Sequence, residues 1–476
     1  MNKQAGAFYV TLISALLCGL GITGTLVRAQ TGEPMKAHTL VYAKGKSITL
    51  NLPVPFDIDI AARGLKRVRF FAKSPDGRIF ATGMYDLSDN THGSVFILDG
   101  WDEKSHRFTK VIHYLDHLRN PNNLAFWTDP KTKQTWLYLP LTDKMVRYRY
   151  KAGDYAPSSP PETLIHFPDY GLHYKYGGWH LTRTVEIVER EGRTRVYVAA
   201  GSSCNYCRER EVLRAAVVAM DPDGSHQTLI AQGLRNAVDL RYVPEVDGGA
   251  LMATNMGDDH LGRKLPEDTF FEIATTGELP QNYGWPTCYF AQGRAVHDTS
   301  PLPDLKDAGK LTHGPDETDD SDSVYGEQKG VAAAGINLVA GGGHEEADPN
   351  AVLGKPPVPL KSCERVPPAY TTFAAHSSPL GFQYFPQSDT ELGSSFLVAL
   401  HGASHPSIGT GYRVARFTPQ DRTPQPFITG FLTRIAGRPR VHGRPCGILR
   451  IGPDTFLISD DYLGLIYYVH PSRTSH

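Results

Sequence analysis

Short apolar segments with alternating polar positions recur along most of the chain, and turn residues separate them. A first apolar segment is followed by a turn rich in Pro, Asp or Gly, then by a second segment and a third. Alternation with a period of two predicts β-strands with one buried face, and the intervening turns predict antiparallel pairing. This group of three strands occurs six times, beginning near residues 68, 123, 184, 237, 379 and 447.

The sixfold repetition predicts how the strands are arranged. A single antiparallel meander cannot bury both of its faces, whereas six meanders arranged radially cover one another. We therefore predict an all-β fold, a six-bladed β-propeller with a long irregular insertion. A β-sandwich with coincidental turn spacing is the alternative. The segment HTLVYAKGKSITLNL at 38–52 precedes the first repeat. We predict that it closes the ring by pairing with the last blade.

Residues 291–372 break the repeat between the predicted blades four and five. This stretch contains the acidic run DETDDSDS, a Gly-rich run and a Pro-rich run. Such a composition predicts a long excursion over one face of the fold rather than a domain with its own core. The acidic run lacks the Gly and terminal Glu of an EF-hand loop, so a solvated loop is the favoured interpretation.

The N-terminus has the features of a secretory signal. Lys3 precedes an apolar stretch from Ala5 to Leu26, and Val27-Arg28-Ala29 provides a small-residue cleavage site. We predict a signal peptide at 1–29, a single propeller domain at 30–476, and a periplasmic or secreted protein without membrane attachment after cleavage. An uncleaved membrane anchor is the alternative, because the apolar stretch approaches spanning length.

Composition narrows the choice of fold and of partners. The 476 residues can form a large core, and 46 Gly with 35 Pro favour a turn-rich β fold. The formal net charge is −1, which indicates neither nucleic acid nor an anionic membrane as a partner.

Export would permit disulfides among the cysteines that remain after residue 29. These are Cys204, Cys207, Cys288, Cys363 and Cys446. The first two form a C-x-x-C sequence that would close a small loop, and the chain has no second C-x-x-C to complete a zinc site. The third and fourth flank the insertion and would tie it down, which leaves Cys446 without a partner.

In a propeller, the residues before the first strand and after the second strand of each blade meet at the mouth of the central channel. Polar residues at these positions are therefore candidates for the chemistry. They are His180, Arg183, Ser202, Asn205, Arg235, Asn236, Gly257, Asp258, Asp259, His260, His376, His401, His442 and Arg444.

A histidine at the mouth, such as His180, suits general-base chemistry near neutral pH, and a hydrogen-bonded structural role is the alternative. Several arginines facing one channel suggest an anionic ligand, unless each pairs locally, as Arg235 would with Asp239. The Gly257-Asp258 loop offers oxygen ligands for Ca²⁺, or forms an ordinary turn.

Taken in order, these motifs resemble the soluble quinoprotein glucose/sorbosone dehydrogenases. The resemblance rests on GGWHLTRT at 177–184, GLRN at 233–236, NYGWP at 282–286, AHSSPLG at 375–381, VALHG at 398–402 and GRP at 443–445. Members of that family are six-bladed propellers that use pyrroloquinoline quinone (PQQ) and Ca²⁺. The resemblance implies the same cofactors here, a small sugar as substrate, and an external electron acceptor, because the chain has no cytochrome motif.

The resemblance also implies a role for individual residues. It makes His180 the catalytic base that takes the proton of a sugar hydroxyl. It places the cofactor beside a group of polar residues and the calcium ion at a loop. The cofactor-binding residues are Arg235, Asn236, His401, His442 and Arg444, and the metal-binding residues are Gly257 and Asp258.

The chain departs from the family pattern near the predicted metal. Met256 stands where relatives have an oxygen ligand, and a thioether does not suit Ca²⁺. Ser202 stands where the glucose enzymes have an acidic residue that supports the base. The predicted function is a periplasmic PQQ-dependent sugar dehydrogenase. The alternatives are a metal-dependent lactonase-type hydrolase and a non-catalytic propeller that binds carbohydrate or protein.

Overall fold

The described part of the chain is a six-bladed β-propeller, as the repeats predict. The structure is a computed structural model that describes residues 33–168, 180–304 and 350–472. Nearly all of its regular structure is antiparallel β-sheet. The predicted signal peptide at 1–29 lies outside the described residues, as do the acidic and Gly-rich runs of the insertion within 305–349.

Blades one to three follow an N-terminal hairpin and the strand after it. The hairpin and strand are β1 (Met35–Ala43), β2 (Lys46–Pro53) and β3 (Phe56–Arg63). Blade one has β4 (Val68–Lys73), β5 (Ile79–Gly83), β6 (Gly93–Asp102) and β7 (Arg107–Leu118). Blade two has β8 (Ala125–Thr128), β9 (Thr135–Pro140), β10 (Lys144–Tyr150) and β11 (Glu162–His166). Blade three has β12 (Arg183–Arg190), β13 (Arg193–Ala200), β14 (Ala216–Met220) and β15 (Thr228–Gln232).

Blades four to six are interrupted by the insertion and by a second hairpin. Blade four begins with β16 (Ala237–Val243), β17 (Ala250–Asn255) and β18 (Asp268–Ile273). The segment after β18, which includes the predicted insertion, contributes β19 (Gln281–Asn282), β20 (Cys288–Ala291) and β21 (Arg294–His297), and β22 (Thr371–Phe373) returns to blade four. Blade five has β23 (Pro379–Phe385), β24 (Ser395–Leu400), β25 (Arg413–Phe417) and β26 (Gln425–Ile428). The hairpin of β27 (Leu432–Ile435) and β28 (Arg438–Val441) precedes β29 (Pro445–Gly452), β30 (Thr455–Asp460) and β31 (Leu465–Pro471) of blade six.

The ring is closed by β3, so the prediction that 38–52 would close it is wrong. β3 pairs antiparallel with β31 and becomes the fourth strand of blade six. Residues 38–52 instead form the β1–β2 hairpin, which reaches the outer part of blade five through the bridge between Asn51 and Thr429. The apolar side of β2 is buried against blades five and six, so its alternation reflects packing rather than membership of a blade.

The insertion lies within blade four. β18 pairs on one side with β17 and on the other with β22, and the long segment runs between β18 and β22. On the way, β19 pairs in parallel with β15 and extends blade three to five strands. The segment therefore lies between the third and fourth strands of blade four, and it bridges blades three and four.

Apolar side chains pack in the centre of the ring. Phe70, Val238, Leu380 and Cys446 come from the first strands of blades one, four, five and six, and they form one buried cluster. Met256 packs against this cluster from the loop after β17. The Cys446 thiol is buried here and is not in a disulfide. Because apolar groups fill the ring at this level, polar ligands would bind above it, where the loops converge.

Both predicted disulfides are present. Cys204 is bonded to Cys207, and Cys288 is bonded to Cys363. The first closes a loop beside β13, and the second ties the two ends of the insertion together. Among the described residues, no helix is long and apolar enough to cross a membrane.

Candidate active site

His180 lies directly before β12, and its hydrogen bonds define which ring nitrogen carries the proton. Its Nδ1 is 3.0 Å from the Ser202 carbonyl oxygen and 3.0 Å from Ser202 Oγ. A carbonyl oxygen only accepts hydrogen bonds, so Nδ1 must be the donor. Ser202 Oγ donates its own proton to the Cys204 carbonyl at 2.6 Å, and can therefore accept from Nδ1. The lone pair of the neutral ring is then on Nε2, which is the form that a general base needs.

The surroundings of His180 keep its imidazole neutral. Burial lowers the pKa of His180 well below 6.5, and the positive charge of Arg235 lowers the pKa further. The carbonyl of Ser202 and the charge of Asp259 oppose this shift without cancelling it. At neutral pH the ring is thus in its proton-accepting form, and a proton taken from a ligand is readily released.

This pKa predicts an unusual pH profile. We expect kcat/KM to stay level as the pH falls through 6.5, where an unperturbed histidine would become protonated, and to decrease only in more acidic solution. In the unfolded chain His180 takes up its proton near pH 6.5, so its contribution to stability is present above that pH and is lost as the pH falls below it. Steady-state rates between pH 4 and 8, with stability measured at each pH, check both expectations. A rate that halves near pH 6.5 would contradict the assignment of His180 as the base.

Arg235 opens blade four and donates to two neighbouring loops. Its Nε donates to the Asn205 carbonyl at 2.9 Å, Nη2 donates to Asn205 Oδ1 at 2.7 Å, and Nη1 donates to the Gly257 carbonyl at 2.6 Å. Nη2 also lies 3.4 Å from Asp259 Oδ2. The side chain is buried. The local pairing with Asp239 does not form, because Asp239 pairs with Arg241.

The loop 202–207 joins His180 to Arg235. Ser202 holds the imidazole, its backbone N–H donates to the Arg235 carbonyl at 2.7 Å, and Asn205 accepts from the guanidinium. The disulfide between Cys204 and Cys207 closes the loop, and Trp285 packs against it and donates from Nε1 to the Asn205 carbonyl at 3.3 Å. The NYGWP motif, which contains Trp285, therefore stabilises the loop 202–207.

The two disulfides are expected to differ in what they support. Replacing Cys288 and Cys363 with alanine opens a loop of 75 residues and is expected to cost about 4.5 kcal/mol of unfolding free energy. Replacing Cys204 and Cys207 opens a loop with a sequence separation of 3 and costs only about 2 kcal/mol. The second pair, however, is expected to lower the rate about 10-fold or more, because it displaces Ser202 and Asn205. Urea unfolding and rates for both double variants check this, and equal rates would contradict it.

The predicted calcium loop does not fit a calcium ion. The Gly257 carbonyl accepts a hydrogen bond from Arg235 Nη1, and the Asp258 carboxylate lies 2.7 Å from His260 Nδ1. Both oxygens therefore face cationic groups of the chain, and a divalent cation there would be repelled by the guanidinium. Met256 adds a sulfur, which is a poor ligand for Ca²⁺. We derive no step through a metal at this loop, and the metal-binding role of Gly257 and Asp258 stays a prediction.

His260 instead acts as the local cation. Its Nδ1 faces Asp258 at 2.7 Å, and its Nε2 faces Asp298 Oδ2 at 2.8 Å. These two carboxylates raise the pKa of His260 to about 9, although burial opposes the shift. The Tyr206 ring stacks on the imidazole at a centroid distance of 3.8 Å. Through its contacts with Asp258, Asp298 and Tyr206, His260 connects the loop after β17, the insertion and the disulfide loop.

Asn236 presents a buried acceptor at the same place. Its Nδ2 lies 3.4 Å from Met256 Sδ, and its Oδ1 is buried without a hydrogen-bond partner in the part of the chain that the structure describes. A Cβ at Gly201 would lie 2.6 Å from this oxygen and 2.6 Å from His180 Cβ, so a side chain at 201 would collide with both residues. An unpaired buried oxygen next to the candidate base indicates a position where a ligand N–H or O–H group would bind.

Two carboxylates connect this group to blade five. His376 Nδ1 lies 3.1 Å from Asp259 Oδ1, and this contact with Arg235 nearby lowers the pKa of Asp259 to about 2 despite burial. Asp268 accepts from the backbone N–H of Gly257 and from that of Ser378, each at 2.8 Å. Burial raises the pKa of Asp268 to about 7.

His401 is placed in a second group at the blade five and six side. Its Nε2 lies 2.7 Å from Asp461 Oδ1, and Asp461 Oδ2 accepts from Arg69 Nη1 at 3.0 Å. Burial and the charge of Arg444 lower the pKa of His401 to about 4, so the ring is neutral at pH 7. His401 would therefore contact a ligand as a neutral imidazole, not as a fixed cation. Its cofactor-binding role stays a prediction.

Arg444 and His442 are used differently from one another. The Arg444 guanidinium is buried and donates to the carbonyls of His401, Gly402 and Ala403, and it stabilises that loop. His442 Nε2 lies 2.8 Å from Thr433 Oγ1 at the base of the β27–β28 hairpin. Among the described residues, His442 makes no hydrogen bond to Arg235 or His180. Binding of a cofactor by either residue stays a prediction.

The structure thus brings together His180, Arg235, Asn236 and the Gly257 loop, and it links them through Asp268 and Ser378 to the His401 group. Asp298 is a residue that the sequence did not single out. It lies in an irregular stretch with no motif around it, and only its contact with His260 reveals its role.

Comparisons with known proteins agree with this fold. The family described as TrAA12-like matches residues 117–430, which is more than half of the 476 residues. A structure of a Trichoderma reesei protein of Carbohydrate-Active Enzymes Family AA12 is 18% identical, with a TM-score of 0.57, 88% of this chain covered and 97% of that chain. The holo form of the PQQ domain of pyranose dehydrogenase from Coprinopsis cinerea is 14% identical, with a TM-score of 0.57 and coverage of 89% and 97%.

A crystal structure of a glucose dehydrogenase is 13% identical, with a TM-score of 0.50, 87% of this chain covered and 100% of that chain. No curated protein sequence matches the chain. At these identities the solved structures establish the shared propeller fold. The match over 117–430 establishes the family, and with it the predicted resemblance to quinoprotein sugar dehydrogenases is confirmed. The chain belongs to the TrAA12-like family.

Proposed function

We propose that this protein is a secreted or periplasmic oxidoreductase that oxidises a small sugar, holds PQQ as its cofactor and passes electrons to an external acceptor. The observation that carries the proposal is His180, a neutral imidazole with its lone pair on Nε2, held at the channel mouth beside Arg235. Family membership supports it, as does the fold shared with the PQQ domain of pyranose dehydrogenase.

The donor set fits an anionic quinone with carboxylate groups. Arg235 supplies a buried guanidinium, and the charges of Arg235 and Arg214 both act on His180. Asn236 Oδ1 has no hydrogen-bond donor among the described residues, and as an acceptor it would suit an N–H group of the ligand rather than a carboxylate. When bound, PQQ supplies a two-electron acceptor for the two electrons of a C–H bond.

The residues of the chain would handle the proton. Nε2 of His180 accepts the proton of the sugar hydroxyl. Nδ1–H meanwhile keeps its hydrogen bond to the Ser202 carbonyl, which holds the ring in its orientation. Because burial and Arg235 disfavour the imidazolium form, the proton then leaves to solvent and restores the base. General-base assistance of this kind contributes about 10²- to 10⁴-fold to the rate.

The proposed compartment follows from the disulfides. Cys204–Cys207 and Cys288–Cys363 are both formed, and such bonds persist in oxidising compartments. This supports export, together with the N-terminal sequence.

The proposal is tested by reconstituting metal-free apoprotein with PQQ and measuring dye reduction with a panel of aldoses, pyranoses and sorbosone. We expect sugar-dependent reduction only after PQQ is added, and we expect EDTA to leave the 257–258 loop intact. Failure to bind PQQ in a calorimetric titration would favour a non-catalytic propeller that binds carbohydrate or protein. Metal-dependent lactone hydrolysis without any effect of PQQ would contradict the proposal.

A further inference from the structure

Far along the chain from the channel loops, two histidines and an aspartate meet where the ring closes. Asp59 is on β3, His470 is on β31 of blade six, and His106 is in the turn between β6 and β7 of blade one. Asp59 Oδ2 lies 2.7 Å from His106 Nδ1 and 3.2 Å from His470 Nε2. The candidate ligand atoms all lie within 4.8 Å of one another.

The tautomer of His470 indicates that a positive charge is needed between His470 and Asp59. Its Nδ1 lies 2.9 Å from the Pro471 carbonyl oxygen, so Nδ1 carries the proton. In the neutral ring the lone pair of Nε2 then points at the Asp59 carboxylate, which is also an acceptor. Two facing acceptors repel each other unless a cation lies between them, and either a second proton on His470 or a metal ion would serve.

Neighbouring aromatic rings fix the orientation of both imidazoles. Tyr468 stacks on His470 at 5.0 Å, and Trp101 lies parallel to His106 at 6.3 Å with an interplanar angle of 12°. The two imidazoles themselves meet edge to face at 4.6 Å. The side chains of His106 and His470 are 15% and 12% exposed, and that of Asp59 is 44% exposed. The ligand atoms are therefore ordered and remain open to solvent on the Asp59 side.

We propose that Asp59, His106 and His470 bind a divalent transition-metal ion, of which zinc is the representative, with water completing the coordination. Two imidazoles and one carboxylate suit Zn²⁺. The hydrogen bond from His470 Nδ1 to the Pro471 carbonyl would orient that imidazole as a ligand. The ion would replace the proton between His106 Nδ1 and Asp59 and the proton that would otherwise join His470 Nε2 to Asp59. Because the three ligands belong to blade one and to both ring-closing strands, the bound ion would hold the ring closed. This inference is independent of the proposed sugar chemistry.

The test is zinc binding and thermal unfolding of the untagged full chain, first treated with EDTA and then given ZnSO₄. We expect the wild type to bind one more zinc ion at high affinity than the variants His106→Asn and Asp59→Asn. We also expect Zn²⁺ at 100-fold excess over Kd to raise its Tm by about 2–4 °C, and to leave the Tm of both variants unchanged.

A matched control is available in the same fold. His226 has a φ of 49°, close to the 51° of His106, and its Nδ1 also lies 2.7 Å from an aspartate oxygen, that of Asp221. Asparagine tolerates this backbone conformation, so His106→Asn and His226→Asn are equally conservative. His226→Asn is expected to keep the full zinc stoichiometry and the Tm shift. Equal zinc binding by the wild type and His106→Asn, or no binding by either, would overturn the proposal.

Discussion

Replacing His180 with asparagine is expected to lower sugar oxidation by about 10²- to 10⁴-fold while leaving PQQ binding within a few-fold of wild type. Asparagine fits the positive φ of 40° at this position and can donate to the Ser202 carbonyl, so the loop is preserved. It has no lone pair basic enough to take the hydroxyl proton. Steady-state dye reduction with saturating PQQ, together with calorimetric titration of PQQ, measures both effects.

The control for this variant is His226→Asn, which makes the same substitution at a positive φ on an exposed turn. It is expected to keep the wild-type rate. A rate for His180→Asn within three-fold of wild type would remove His180 from the mechanism. A large loss of PQQ affinity in the same variant would instead assign His180 to cofactor binding.

Replacing Arg235 with alanine is expected to cost about 3–5 kcal/mol of unfolding free energy, a large effect for a single substitution. The substitution removes three hydrogen bonds in a buried place, those to the carbonyls of Asn205 and Gly257 and to Asn205 Oδ1. The two Asn205 oxygens keep one weaker donor each, Trp285 Nε1 and the backbone N–H of Asp259. Asp259 also loses its nearby cation. Urea unfolding of the apoprotein measures the loss.

Arg190→Ala is the matched control, because Arg190 is about half exposed and pairs only with Glu191 on the surface. Its effect is expected to stay below about 1 kcal/mol. Arg235→Lys retains the charge but cannot make the three hydrogen bonds, so it separates geometry from charge. Loss of the Arg235 charge in the alanine variant is also expected to raise the pKa of His180, which would move the acid limb of the pH profile upward. A cost for Arg235→Ala no greater than that for Arg190→Ala would contradict the bridging role.

The blades were predictable because each depends on local alternation and turn chemistry. The first three strands of every blade occupy the predicted segments, from Val68 to Pro471. The closing strand was missed because β2 and β3 have the same length and both alternate apolar with polar residues, so the local pattern does not say which of them joins the ring. Both segments bury apolar side chains, and only tertiary pairing shows which one joins blade six.

The site was predictable by position but not by partner. The sequence located His180 and Arg235 at adjacent blade entrances, and the structure joins them through Ser202 and Asn205. No sequence pattern indicated that Arg235 would donate a hydrogen bond to the Gly257 carbonyl. The partners of His260 and His401, which are Asp298 and Asp461, lie 38 and 60 residues away along the chain. Contacts of this range depend on how the blades pack, which no local pattern encodes.

The proposed proton chemistry at His180 does not depend on a metal ion at the Gly257-Asp258 loop. His180 is held by backbone and hydroxyl groups, its charge state is set by burial and by Arg235, and the Gly257-Asp258 loop is satisfied by side chains of the chain itself. The zinc site proposed at the ring closure is built from a different set of residues.

The central claim is that this propeller oxidises a sugar through bound PQQ with His180 as the base. Its most direct test is an anaerobic stopped-flow measurement of the PQQ-reconstituted protein, in which sugar is mixed with the wild type and with His180→Asn and the absorbance of the bound quinone is followed. The account predicts rapid, sugar-dependent reduction in the wild type and reduction slowed by at least about 10²-fold in the variant, with equal PQQ occupancy. Equal rates in the two proteins, or failure of the wild type to bind PQQ, would contradict it.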